Sequence, residues 1–330
     1  MANTYHMTSE SLISSVKRRA SIPDAQSLIT DNEILEFANE EMALNLIPLI
    51  YSKHQDYYLV REVVQLVSGQ TRYEIPYRAI GNKLREVAYQ DSSGNLSEMF
   101  RISSDEVAST GTYGDNGSIN LGRFYIEGEE IVLHRDESTF NGTGSIVIFY
   151  NLRPNVLVES DTTATLLATP IDNGDSTTTL QLSAIPDNFT LGSEIDFIGK
   201  RSPHKIITFD NIITAVDANL KTITLATANI PSKLAIGDSI CSAGETNLVN
   251  SPSDLHVLLA QMTAARVLES IGDNAGLKAA DKKIQKMEQN ADLLLANRVT
   301  GSPVKAINRN GGLRSSGLGS RGRRGWSNNK

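Results

Sequence analysis

One cysteine, Cys241, and one tryptophan, Trp326, occur in 330 residues. A lone thiol excludes an intrachain disulfide and suits a reducing compartment. No apolar stretch approaches the roughly 20 residues that span a bilayer. The opening M-A-N-T-Y-H-M-T-S-E lacks a basic region followed by an apolar run, so no signal peptide is expected. The expectation is a soluble chain made in the cytoplasm, with no membrane partner. The five histidines (His6, His54, His134, His204, His256) are scattered, with no spacing that suits zinc, and each reads as a surface or filler residue. There is no G-x-S-x-G elbow. Gly192 to Arg201 resembles a phosphate loop, but it has six residues between its glycines where four are needed and an arginine where a hydroxyl belongs. It reads as a strand with its turn. Asp172-Asn173-Gly174-Asp175 lacks the alternating ligands and distal glutamate of a calcium loop and reads as an Asx turn. The sequons at Asn141 and Asn188 mean little without a secretory signal. No catalytic residue, metal site or cofactor is expected, which places an enzyme last among the function classes.

Acidic residues are also missing from one end of the chain. After Asp292 come eight cations (Arg298, Lys305, Arg309, Arg314, Arg321, Arg323, Arg324, Lys330) and no anion. Of the 31 Lys and Arg and 38 Asp and Glu, residues 1–292 therefore hold 23 and 38, a formal charge of −15 against +8 for the remainder. Such asymmetry marks a tail that docks on something negative. Apolar content of 40% and charged content of 21% are ordinary for a globular protein, and 330 residues allow two cores or one domain with an insertion.

Periodicity divides the rest. Helical spacing appears from Thr8, with Leu12, Ile13 and Val16 on one face. Thr30 with Glu33 forms a capping box for a second helix, which Pro48 should kink or end. From Tyr57 the period is two, and Y-Y-L-V-R-E-V-V-Q-L-V, Ser68-Gly69-Gln70 and T-R-Y-E-I-P read as strand, turn and strand. Further strands are expected at L-R-E-V-A-Y-Q, in a hairpin turning at Glu127-Gly128, and from Gly144 to Tyr150, with a long loop over 102–122. Residues 160–245 contain a repeat. Ile185-Pro186-x-x-Phe189-x-Leu191-Gly192-x-x-Ile195 recurs 45 residues on as Ile230-Pro231-x-x-Leu234-x-Ile236-Gly237-x-x-Ile240. Two such copies predict a small β-barrel or sandwich of pseudo-twofold character. Ser251-Pro252-Ser253-Asp254 then supplies an N-cap for an almost wholly apolar helix stopped at Gly272. A last helix carries Leu277, Ala280, Ile284, Met287, Ala291 and Leu294 at spacings of three and four, a heptad seam, with Lys278, Lys282, Lys283 and Lys286 on another face.

The predicted class is α+β: N-terminal helices (1–56), a mainly antiparallel β-domain (57–159), an inserted β-barrel-like module (160–245), a C-terminal helical hairpin completing the bundle (246–298) and an extended basic tail (299–330). Gly, Ser and Arg dominate that tail and apolar residues are few, so it cannot fold on itself. It reads as a solubilising tail, as a nucleic-acid binder through Arg/Gly and Trp326, or as a peptide arm. The arm is favoured: Leu313, Leu318 and Trp326 are its anchors, and Arg309, Arg314, Arg321, Arg323 and Arg324 pair with carboxylates.

Several stretches together resemble the head-to-tail connector, or adaptor, proteins of tailed bacteriophages. They are Thr30-Asp31-Asn32-Glu33-Ile34-Leu35-Glu36-Phe37-Ala38-Asn39, then Tyr73-Glu74-Ile75-Pro76 with Leu84-Arg85-Glu86-Val87, Gly128-Glu129-Glu130-Ile131-Val132-Leu133, Ile148-Phe149-Tyr150-Asn151-Leu152-Arg153-Pro154 and Arg298-Val299-Thr300-Gly301-Ser302-Pro303. The resemblance covers about 1–158 and 246–330; the 160–245 module departs from it. It implies a structural virion protein in the neck between capsid and tail, a homo-oligomeric ring commonly of twelve subunits. Its partners would be the portal, onto which the tail reaches, and a downstream tail or ring protein. Double-stranded DNA would pass through the lumen without sequence-specific binding, which an acidic wall favours. Two alternatives stay open: a nucleic-acid-binding protein using the Arg/Gly tail, and a receptor- or tail-fibre-type module at 160–245.

Overall fold

The structure, a computed structural model, describes residues 7–22, 29–103, 122–134, 144–201 and 204–295. They belong to one compact unit, Met1–Ala296. The second unit, Asn297–Lys330, lies outside the described residues, and so does most of the loop expected over 102–122. The described chain is α+β, with a few helices and several mainly antiparallel sheets.

Helix α1 (Ser9–Arg19) starts at Thr8, whose hydroxyl accepts from the Ser11 N–H at 3.2 Å, and buries Leu12, Ile13 and Val16. Helix α2 (Asp31–Glu41) begins with the capping box: the Glu33 N–H donates to Thr30 Oγ1 at 3.2 Å and the Thr30 N–H to Glu33 Oε2 at 2.6 Å. Pro48 does not end this helix. A π-helical turn over Met42–Leu46 precedes α3 (Ile47–Lys53) and leaves Pro48 in the first turn of α3. The wider turn absorbs the backbone bond that proline cannot make. Helix α4 (His256–Ser270) departs from its expected start, because a 3-10 turn over Ser253–Leu255 leads into it with no side-chain cap. The Ser251 hydroxyl is buried without a partner. The stop is as expected: Gly272 has φ +78°, and the Asp273 N–H donates to the Leu268 carbonyl at 3.0 Å. The Asp273 carboxylate then accepts from the Ala275 and Gly276 N–H groups at 3.1 and 3.0 Å, starting α5 (Asn274–Leu294). Helices α1, α2 and α5 all lie against α4, so both ends of the described chain share one core containing Leu12, Ile34, Leu46, Leu259 and Val267. Each such side chain stabilises the fold by about 1.5–3 kcal/mol through burial.

The β-domain comprises β1 (Leu59–Gln65), β2 (Arg72–Glu74), β3 (Ala79–Gln90), β4 (Leu96–Glu98), β5 (Phe100–Arg101), β6 (Arg123–Glu127), β7 (Glu130–His134) and β8 (Ser145–Leu152). Strands β1, β2, β3, β6, β7 and β8 fall where alternation places them, whereas the short β4 and β5 are not among the expected strands, and β1 and β2 do not pair with each other. They belong to separate sheets, ordered β1-β8-β3-β4 and β2-β7-β6-β5. Tyr73, Ile131, Ile146, Ile148 and Tyr150 lie in one core between them. Strand β9 (Val156–Leu157) enters the module and pairs in parallel with β17 (Glu245–Thr246), which leaves it.

Within the module, β10 (Ala164–Thr165), β11 (Ile171–Asp172), β12 (Thr177–Gln181), β13 (Glu194–Ile198), β14 (Ile206–Asp217), β15 (Thr222–Ala226) and β16 (Ser239–Ser242) form a sheet ordered β10-β16-β13-β14-β15-β12-β11. The sheet is not a closed barrel, although the chain leaving β10 reaches the end of β12: Leu166 bridges Leu182, and the Leu167 N–H donates to the Gln181 carbonyl and the Ser183 N–H to the Thr165 carbonyl, both at 2.9 Å. It wraps a core of Leu180, Phe189, Ile195, Phe197, Ile223 and Ile240. The repeat is visible in the pairing. Thr179 lies opposite Thr224 and Asp196 opposite Cys241, each pair separated by the 45 residues of the repeat. Copies that pair through their own equivalent residues are related by a twofold axis passing between both pairs. The turns before β13 and β16 match as well. The Ser193 N–H donates to the Thr190 carbonyl at 3.1 Å and the Asp238 N–H to the Ala235 carbonyl at 3.0 Å, with Gly192 at φ +84° and Gly237 at φ +90°.

Candidate functional surfaces

The seam residues of α5 divide. Ala280 and Ala291 are buried, and Leu277, Ile284 and Met287 pack half-buried against the helical core. Leu294 is 60% exposed, and Leu295 takes the buried place at the C-terminal end. A helix with 3.6 residues per turn drifts off a strict 3.5 repeat, so after several heptads the last seam residue rotates outward. Lys278, Lys282, Lys283 and Lys286 are all exposed. The tail residues Arg309, Leu313, Arg314, Leu318, Arg321, Arg323, Arg324 and Trp326 lie outside the described residues.

A buried polar cluster joins the β-domain to the module. The Arg78 side chain, in the turn after Pro76, donates from Nη1 to Asp196 Oδ1 and to Asp210 Oδ1, both at 2.9 Å. Its Nη2 donates to Asp196 Oδ2 at 2.8 Å and to Asn155 Oδ1 at 2.5 Å. Asp196 also accepts from Asn155 Nδ2 at 2.6 Å and from the N–H groups of Asp210 and Gly244 at 3.0 Å each. The Tyr77 hydroxyl donates to Asp210 Oδ1 at 2.7 Å, and the guanidinium lies 5.2 Å from the centre of the Phe209 ring. Burial works against the charge of Arg78, but the hydrogen bonds and charges of Asp196 and Asp210 outweigh it and hold its pKa above the ordinary arginine value. Both terminal nitrogens of Arg78 and both carboxylate oxygens of Asp196 have partners, as a buried charge pair requires. Sequence reading missed this cluster. Its one legible signal was Asp196 itself, a carboxylate in the apolar strand E-I-D-F-I at the position where the other copy of the repeat carries Cys241.

Between module and helices, His204 and His256 are both buried and stack with ring centres 6.4 Å apart. His256 Nε2 lies 3.1 Å from the Ser251 carbonyl and His204 Nδ1 3.1 Å from the Gly199 carbonyl. Burial, with His204 as a smaller cause, lowers the His256 pKa to about 4, so it is neutral near pH 7.

Next to this pair, two adjoining hollows of about 220 and 630 Å³ share Leu59, Val60, Leu152 and Ile206. The larger one touches the consecutive residues Leu59, Val60 and Arg61 of β1 and the run Ile206–Phe209 of β14. Successive strand residues point to opposite faces, so an opening that meets three in a row lies along the strand edge. The register identifies that edge. The Leu152 N–H donates to the Tyr58 carbonyl at 2.9 Å and the Leu66 N–H to the Gly144 carbonyl at 3.0 Å. Even-numbered residues of β1 therefore bond β8, and Arg61, Val63 and Gln65 aim their N–H and C=O groups outward. Among the described residues no strand pairs with this edge.

Among the described residues no group of His, Cys, Asp and Glu is placed to hold a metal ion, and no helix is long and apolar enough to cross a membrane. Cys241 is buried, and burial pushes its thiol pKa up to about 12. No protein-family model and no curated protein matches the chain.

Proposed function

We propose that the protein is a structural component of a phage neck, a connector subunit that assembles side by side into a ring, commonly of twelve, between portal and tail. The observation that carries the reading is the arrangement of the chain. Helices from both ends of the described chain share one core, and the β-domain and the module hang between them. That is the order in which the resembling connectors are built, with a helical bundle packing ring-wise. In this reading the C-terminal tail docks on the portal through Leu313, Leu318 and Trp326, with its arginines pairing to carboxylates. The acidic body of formal charge −15 favours passage of DNA over its capture. The downstream partner is a further tail or ring protein, and no catalysis is assigned. The 160–245 module, sandwich-like in its wrapping, is an addition to that plan.

Particle averaging of negatively stained protein, alone and with the matching portal, tests the proposal. Rings, or ring assembly only on the portal and lost on deleting 301–330, are expected. A monodisperse monomer that ignores the portal with and without the tail sinks it. Binding to DNA that weakens steeply with salt and vanishes with the tail would favour the nucleic-acid reading instead.

A further inference from the structure

Among the described residues strand β1 has few of the devices that normally protect a sheet edge, the inward-facing, half-buried Glu62 being the exception. The strand contains no proline and no lysine, its seven residues pair with β8 without a bulge, and Val63 and the following Val67 are 46% and 53% exposed. The outward-facing groups of Arg61, Val63 and Gln65 line up for a further strand. At the Leu59 end, this edge runs into the 630 Å³ hollow. The opposite wall there is the Ile206–Phe209 run of β14, which pairs with β13 on one side and reaches β15 only from Ile213 onward.

The lining indicates what such a strand would carry. The β1 face that includes Val60 continues into the apolar core with Leu152, Ile206 and Phe209. The other face carries Arg61. The charged residues lining the two hollows are Arg61 and Lys205, both cations on a body of net negative charge, and neither forms an ion pair with a described residue. A strand laid on β1 would alternate with it, placing apolar side chains over the core face and carboxylates beside Arg61. A segment with cations and no anions, as in residues 298–330, has the wrong sign for this place.

We infer that the β1 edge and its adjoining hollow form a strand-addition site for an extended peptide of a partner protein, apolar at alternate positions and acidic between them. Main-chain hydrogen bonds supply affinity, and the apolar face and two cations supply selectivity. The inference is independent of ring formation and holds for a monomer or an assembly.

The test is fluorescence anisotropy with the full-length protein and labelled heptapeptides. The probe is V-D-V-T-V-E-V. Its controls are V-K-V-T-V-K-V and the acidic peptide N-methylated at alternate amides. The acidic peptide is expected to bind saturably, at least tenfold more tightly than either control. Val63→Pro deletes one outward N–H that β8 does not use, so the fold should persist by circular dichroism while affinity drops about tenfold. Arg61→Glu with Lys205→Glu should transfer the preference to the lysine peptide, a gain that mere misfolding cannot produce. The proposal is overturned if the wild-type protein does not distinguish the acidic from the lysine peptide, or if N-methylation leaves affinity within twofold. Displacement of the peptide by an equal concentration of single-stranded DNA overturns it as well.

Discussion

Replacing Arg78 by methionine would remove the cation that the buried carboxylate of Asp196 faces. Methionine keeps roughly the length and apolar stem of arginine, so the change isolates charge and hydrogen bonding from packing. Deleting one partner of a buried pair typically costs about 3–5 kcal/mol, because the other charge stays buried and uncompensated. Here Asp196 would keep three donors: the N–H groups of Asp210 and Gly244 and the amide of Asn155. That places the loss near the low end, about 3 kcal/mol. Against a total of about 5–15 kcal/mol this is a large fraction. Asp196→Asn should cost less, since it leaves a polar group that still accepts hydrogen bonds. The double variant Arg78→Met/Asp196→Asn should be more stable than the sum of the two losses, with a coupling of about 1–3 kcal/mol. Urea unfolding followed by circular dichroism measures all three, and amide exchange across Glu194–Ile198 shows where the fold loosens. An Arg78→Met loss below about 1 kcal/mol, or strict additivity of the pair, would refute the claim that this cluster holds module to body.

Three further outcomes follow from the packing. The unfolded His256 titrates near 6.5 and the folded one near 4, so between those values the unfolded chain binds more protons and stability falls as pH falls. The accumulated loss is about 3 kcal/mol, read as a shift in urea midpoint between pH 7 and pH 4, and His256→Gln should flatten that dependence. On α5, Ile284→Ala should cost about 1–2 kcal/mol and Leu294→Ala less than about 0.5 kcal/mol in thermal or urea unfolding, the reverse of equal seam positions. Gly144 has φ +108°, and a Cβ there would stand 2.6 Å from the Gln90 carbonyl oxygen. Gly144→Ala should therefore destabilise by at least about 1–3 kcal/mol, seen as a lowered melting temperature.

The helices were legible because their signals are local. The Thr30–Glu33 box, the Gly272 stop and the spacing from Leu277 to Ala291 each act within one or two turns. Pro48 does not end the helix, because a π turn over Met42–Leu46 precedes it and leaves it in the first turn of α3, and nothing in that turn announces itself. Strands were found by alternation, but alternation says which face is buried and not which strand lies alongside. The Ser68-Gly69-Gln70 turn suggested that β1 and β2 are neighbours, yet β1 pairs with β8, some eighty residues away, and β2 with β7. The repeat in 160–245 was readable at its exact offset, though its sheet is not a closed barrel. The clamp at Arg78 joins positions 118 residues apart, a distance over which no motif operates. The β1 edge is defined by which hydrogen bonds are absent, and a sequence does not record those.

The twofold pairing of the module has one more consequence. A symmetric object can be seated two ways, and only its asymmetric marks determine which. The axis relates Asp196 to Cys241. One copy offers a carboxylate for the guanidinium of Arg78, and the other offers a neutral thiol lying among Ile198 and Leu248. Turned about its axis, the module would present sulfur to a buried cation and leave an aspartate against an apolar wall. Both mismatches carry the desolvation cost of an unpaired charge. This difference between the two repeats thus acts as a key to how a module with paired, equivalent halves is seated on the body.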